Sequence, residues 1–311
     1  MAAFIPGSYH GVAFGYAGET MVKESVLLRQ TCKELTPRLL LAGLLCSFVF
    51  WPAIAANSAA TPNFAPDTGT GWLAPEDDFI QPDSGPGPVK SDPAHPYLSF
   101  YKFPRNPNPA FRVADLSNPI LQPWVKEELR KANDRALSGK TVFTPKERCW
   151  PIGVPGFLLY PALPVYFLQT PKEVVMIWEQ DHQVRHVYLN QPHSARVTPS
   201  WFGESVGHYE GDALVVDTVG ITTKTQIDNY LTPHTEQLHV IERFHMTEGG
   251  KTLEVNVHVE DPGAFTMPWN AVQRYRRVDQ GAMIEAACAE NSADHFHQDV
   301  GVFPTADKPD F

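Results

Sequence analysis

Little of this chain is charged, few of its residues are cysteine, and no apolar run is long enough to cross a bilayer. Each shortage excludes something. Asp, Glu, Lys and Arg make up 19% of the 311 residues, below the roughly 25% of an average soluble domain. With 43% hydrophobic residues the chain can bury a core, and wholesale disorder is excluded. Four cysteines are too few for a disulfide-dense scaffold. The apolar run Leu39 to Trp51 has thirteen residues, against the roughly 20 that a spanning helix needs. Also missing are H-E-x-x-H, a phosphate-binding P-loop and C-x-x-C. Their absence disfavours zinc peptidase chemistry and nucleotide cofactors.

The apolar run has a telling context. Arg29, Lys33 and Arg38 precede it, and the small-residue site Ala53-Ile54-Ala55 follows. That order of parts is a secretory signal, so export to the periplasm or beyond is expected, with cleavage after Ala55 and no stable membrane anchor afterwards. Residues 1–20 lie far upstream of it, and Met21 is an alternative start. Without residues 1–55 the chain keeps 21 basic and 32 acidic side chains. Such a surface repels phosphate backbones, so nucleic acid is not an expected partner. Two cysteines remain, Cys149 and Cys288, and in an oxidising compartment they are expected to pair. A bridge closing so long a loop contributes on the order of 4–5 kcal/mol of chain entropy.

Residues 56–148 read as a proline-rich extended arm, 149–291 as a β domain and 292–311 as a tail. Residues 56–171 hold nineteen of the 29 prolines, and proline deletes ladder donors, so this stretch should lie over something else rather than supply central strands. One covering helix is expected over 119–138. Asn118 offers a cap, Pro119 fits the first turn, and Leu121, Val125, Leu129 and Ala132 recur on one face before Gly139.

From Val165 onward the pattern alternates with period two. It predicts strands at about 165–169, 173–179, 184–190, 204–209, 213–219, 237–247, 251–260, 271–278 and 282–289. Short turns at 181–183, 210–212, 248–250 and 279–281 make neighbours antiparallel. The long connection 220–236 should cross a barrel mouth. The expected fold is mainly β: an antiparallel up-and-down barrel, lipocalin-like, which closes its own edges, with a β-sandwich as the alternative. Strand 251–260 places Leu253, Val255, Val257 and Val259 on one face and Glu254, Asn256, His258 and Glu260 on the other. Period two alone does not say which face is the lumen.

Titratable residues cluster in two places. In 233–245, His234 and Glu236 share one face of an extended chain, and His239, Arg243 and His245 the other, with Glu242 between them. An imidazole oriented by a carboxylate suits a general base, and the same residue types also suit a divalent metal. In 207–218, His208 and Glu210 align, and Asp217 interrupts an apolar run. If drawn inward, Asp217 needs a partner such as Arg185, Arg243 or His239. Trp178, Tyr188, Phe244 and Trp269, with Arg185, are candidates for the wall of a ligand cavity. Simple core filling and solvated strand faces account for the same residues equally well.

Several motifs recur in order: the stretch from Gly207-His208 through Glu210-Gly211-Asp212 to Val215-Val216-Asp217-Thr218 and Gly220; Pro233-His234-Thr235-Glu236 with Leu238-His239-Val240 and Glu242-Arg243-Phe244; and Asp261-Pro262 with Pro268-Trp269. Over roughly 145–291 the chain resembles a large family of exported bacterial proteins, most of them described as hypothetical, and departs from it at Thr222. The resemblance implies export and a shared fold and supplies no activity. From the residues themselves, the leading expectation is a cofactor-independent enzyme acting on a small apolar molecule by acid–base chemistry of the isomerase, cyclase or hydro-lyase type. His234 and His239 would be the acid and base, supported by Glu236, Asp217, Glu242, Arg243 and His208. The alternative is a periplasmic small-molecule binding protein without turnover, and the third reading a metal site at His234, Glu236 and His239 or His208.

Overall fold

The computed structural model describes residues 61–97, 112–139, 144–145, 149–160, 163–279 and 281–288. The expected signal and the tail 292–311 lie outside them. The chain divides into two units, residues 1–55 and 56–311, and only the second contains described residues.

Nine strands close into a mostly antiparallel, lipocalin-like barrel: β1 (Thr70–Leu73), β2 (Val165–Gln169), β3 (Glu173–Trp178), β4 (Gln183–Leu189), β5 (Glu204–Glu210), β6 (Ala213–Val219), β7 (His239–Thr247), β8 (Thr252–Glu260) and β9 (Trp269–Asp279). Each strand pairs with the next, and β1 pairs with β9 to complete the ring. Period two now acquires a direction. The apolar faces Leu253, Val255, Val257 and Val259 of β8 and Val240 and Phe244 of β7 are buried, and their polar alternates face outward.

Two strand expectations change. Of the expected strand 282–289, the described residues 282–288 form no strand, because β1 already occupies the edge of β9, pairing Thr70 with Asp279 and Leu73 with Arg276. The segment instead lies along the 180–182 turn, where Asp181 N–H donates to Ala286 O at 2.8 Å, and the Cys149–Cys288 disulfide holds it with Cα atoms 5.5 Å apart. The proline-rich arm therefore supplies one wall of the barrel. It fits there because a Cβ on Gly71 would meet Pro164 Cβ at 2.8 Å. The second change is that β4 and β5 run parallel, with Val187 opposite Ser205. Residues 190–203 supply the long crossover such a pair needs, where a tight turn would not.

The helix α1 spans Pro123–Leu137, later than expected. Pro123 takes the first helical position and forces Gln122 into an extended conformation (φ −62°, ψ 149°), so the helix cannot begin at Pro119. Its buried stripe is Val125, Leu129, Asn133 and Ala136. The Asn133 amide bonds Ala114 N and O at 2.7 and 2.9 Å, clasping the arm as a neighbouring strand would.

The ring's interior is filled. A ligand cavity would leave accessible surface on the side chains around it, yet Met176, Val187, Leu214, Val240, Glu242 and Gln273 are all at 0% exposure. Both ends are plugged by other chain segments. Phe64, with its ring 5.1 Å from Phe167, closes the end near Gln169. The 156–159 turn closes the other, its Leu158 carbonyl accepting from Gln273 Nε2 (3.2 Å) and Tyr275 Oη (2.7 Å). At the centre the Arg185 guanidinium pairs with both Glu242 oxygens and donates to Thr218 Oγ1 (2.8 Å) and Ser205 Oγ (3.2 Å).

Breaking such a pair strands a buried charge. Glu242→Ala is expected to cost about 3–5 kcal/mol, whereas Arg185→Met with Glu242→Leu should cost less than either single change. Urea unfolding measures both. A loss below about 1 kcal/mol in the single variant would show that water or another group replaces the partner.

Candidate functional site

The barrel separates residues that the sequence groups together. Glu242 and Arg185 face inward as each other's partner. Trp178, Phe244 and Trp269 are each 1% exposed and fill the core rather than line a cavity. Trp178 packs on Tyr160 (4.6 Å between rings), and Trp269 meets Phe79 and Phe265 edge-on. His208, Asp217, His239, Arg243 and Tyr188 lie on the outer face. His234 and Glu236 do not pair, because residues 231–238 form no strand and period two does not apply there. Glu236 is exposed. His234 is 4% exposed, with Nε2 2.9 Å from Thr225 Oγ1 and Nδ1 2.9 Å from the Thr235 carbonyl. The Thr235 amide and hydroxyl in turn donate to Asp261 at 2.6 Å. His234 is a latch between loops, and Asp261 caps its own turn through the Gly263 and Ala264 amides. Among the described residues no three His, Cys, Asp or Glu side chains gather in a way that could hold a metal ion, so the expected trio of His234, Glu236 and His239 is not assembled.

Asp217 is not drawn inward. It faces out, with Oδ1 accepting from His193 Nε2 and His239 Nε2, each at 2.9 Å. His193 Nδ1 lies 3.0 Å from Glu204 Oε1, and His239 Nδ1 lies 3.5 Å from Glu260 Oε2. Glu260 Oε1 is 3.0 Å from His258 Nε2, whose Nδ1 meets Asn270 Oδ1 at 2.8 Å. Three imidazoles thus alternate with three carboxylates across β5 to β9. Each ring nitrogen of the row thus faces a protein oxygen. Asn270 and Glu260 hold the His258 imidazole above its ordinary range against the effect of burial. The Ser194 hydroxyl and N–H, with His193, hold Glu204 below the usual carboxylate range. Lower on the same face, His208 pairs with Glu210 at 2.8 Å as its spacing predicts, and Arg243 pairs with Glu210 too.

The row matters for what it anchors. His193 and Ser194 belong to the 190–203 crossover, which runs over the outside of the barrel. Glu204 receives Ser194 N–H (2.7 Å), Ser194 Oγ–H (2.6 Å) and His193. The far end is tied by Ser200 N–H to Gly220 O at 3.0 Å. At Gly220 (φ 68°) a Cβ would collide with Val197 Cγ1 at 2.3 Å, so glycine lets the strap sit down. Between strap and barrel lies a groove of about 550 Å³, with Val184, His186 and Tyr188 of β4 on one side and Arg196, Trp201 and Glu204 on the other. Tyr188 is 42% exposed and Val184 39%. Aromatic walls with a few fixed polar groups are the usual make-up of a small-molecule site. Single-residue inspection passed over His193, Glu204 and Arg196; the available signal was a connection after 184–190 too long for a hairpin.

A second polar cluster lies in the arm. Arg112 is sandwiched between the Tyr97 and Tyr230 rings, 3.7 and 5.5 Å from their centroids, and pairs with Asp77 and Asp78. Tyr97 and Tyr230 donate to these carboxylates at 2.8 Å. Burial raises Asp78, with Arg112 opposing, and pushes neighbouring Asp228 up to about 6. Asp228 accepts from the Tyr230 and Thr232 amides and the Thr232 hydroxyl. Its groups satisfy one another and fasten the arm to the 228–232 loop.

A scan against protein-family models, a search of curated proteins and a search of solved structures each found no match for the chain.

Burial holds the His234 imidazole below its usual value of 6.5, although the Thr235 carbonyl and Asp261 favour the charged ring. The unfolded chain then takes up a proton near pH 6.5 that the folded one takes up only at lower pH. Its stabilising contribution is complete above that pH and lost as pH falls below it. His234→Gln should therefore flatten the decline in Tm between about pH 7 and pH 5. An unchanged slope would mean that the fold does not shift the ring's proton affinity.

Proposed function

We propose that the protein is an exported binding protein that holds a small molecule in the groove between β4 and the 190–203 strap. The observation that carries this proposal is the groove itself: about 550 Å³ of open space, walled by half-exposed aromatic and aliphatic side chains and held in shape by the His193–Glu204–Asp217 bonds. Sites of this size accommodate drug-sized ligands. Export is supported by the leader-like order of residues 29–55 and by the Cys149–Cys288 bridge, which suits an oxidising compartment.

Binding without turnover is preferred to acid–base catalysis for a specific reason. A general base needs a free lone pair within reach of its substrate, and both ring nitrogens of His234 and of His239 face protein oxygens. The barrel interior, where the enzymatic expectation placed the reaction, has no room for a substrate.

Native mass spectrometry of the protein purified from its own host should show a retained small molecule. Tyr188→Ala, an exposed position whose loss spares the core, should lower its occupancy by about tenfold or more. Equal occupancy in the variant would place the ligand elsewhere, and chemical conversion of the ligand on incubation would reinstate the enzyme.

A further inference from the structure

We infer that the ligand of this groove is an organic carboxylate with a flat apolar body, its carboxylate on Arg196 and its ring against Tyr188 and Trp201. This rests on the binding proposal above and adds the chemical class. Arg196 is exposed on the strap and lines the groove, and among the described residues it has no acidic partner. The carboxylate that shares the groove, Glu204, already accepts from Ser194 N–H, Ser194 Oγ–H and His193. The imidazole that shares it, His186, is paired with Glu173. A second cation, the Lys224 ammonium, lies 5.9 Å from the centroid of the Trp201 ring. The guanidinium is thus left without a carboxylate partner, on a chain whose net charge is −10.

A guanidinium offers parallel N–H donors that fit a carboxylate bidentately. The aromatic side chains beside it offer ring faces to an apolar body. Tyr188 is stacked on His186 (17° between planes) and 42% exposed, so its orientation is already set. Trp201 is braced by Trp150, 5.6 Å away. Neutral sugars and neutral hydrocarbons would use only the aromatic half of such a site. The unpartnered guanidinium selects the anion.

The test compares 2-naphthoate with its neutral analogue 2-naphthylmethanol by isothermal titration calorimetry on the full chain, with circular dichroism as the fold control. The naphthoate should bind about tenfold tighter or more, and more weakly as salt is added. Arg196→Gln should erase that preference, and Tyr188→Ala should weaken both probes. Equal affinities for the two probes, unaffected by Arg196→Gln, would overturn the carboxylate assignment and leave the groove proposal standing. Failure of both probes to bind, or binding of both that ignores Tyr188→Ala, would overturn the groove proposal together with it.

Discussion

A guanidinium and a carboxylate share the interior of the barrel, and much of the architecture serves to keep them paired. Arg185 and Glu242 are almost wholly removed from water. A charge in that position without its partner costs several kcal/mol. Their remaining hydrogen bonds go to Ser205 and Thr218, so β4, β5, β6 and β7 each contribute one member of the group. Slipping any of these strands by one residue would turn its member outward. Register is thereby fixed by charge as well as by apolar alternation, most consequentially at β4/β5, where only three residue pairs hold the parallel contact. The same group also occupies the centre that a ligand would need.

The parallel β4/β5 pair has a consequence on the outside. A hairpin would have left the outer face of β4 bare. Instead residues 190–203 must return from one end of the barrel to the other, and they cross that face as a strap. The groove exists because a strap has an underside. Its depth is set by how firmly the strap is pinned, and the pins are His193 and Ser194 on Glu204 and Asp217 at one end and Ser200 on the Gly220 carbonyl at the other. Interior electrostatics and exterior topology therefore meet at β5. Ser205 faces in toward Arg185, while Glu204 faces out toward the strap.

Eight of the nine strands, the closed ring, the bridge between Cys149 and Cys288 and the helix α1 were legible in period-two alternation, turn residues and cysteine arithmetic. The parallel β4/β5 pairing was not, nor were three other features. The β1 strand is four residues inside a proline-rich arm, and nothing local distinguishes Thr-Gly-Trp-Leu from a loop until β9 offers it an edge. The start of α1 was misjudged because two prolines compete for the first turn, and Pro123 wins by what it does to Gln122. The direction of the titratable side chains differs from expectation because a lone carboxylate in an apolar run, Asp217, suggests an inward pull, whereas the buried carboxylate is Glu242, which shares its face with Val240 and Phe244. Clustering in sequence located the strands that carry the titratable residues. It did not say which face each residue would take, since adjacent residues take opposite ones.

The outward face raises a problem of its own, and its solution shapes the groove. Glu204, Asp217 and Glu260 stand on one face of β5, β6 and β8, and like charges on one face repel. The His193, His239 and His258 rings stand between these carboxylates as hydrogen-bond partners, and one of the three, His193, comes from the strap rather than from the barrel. Docking the strap is thus also the step that completes the row. Once it is made, Glu204 has little capacity left for any cation nearby. Arg196, only three residues along the same strap from His193, is left with no anion to answer it. Arg196 is unpaired because the Glu204 oxygens are already engaged, not because basic residues are abundant: the chain has 25 against 35 acidic ones. What the groove offers a ligand and what holds the strap in place thus rest on the same few bonds.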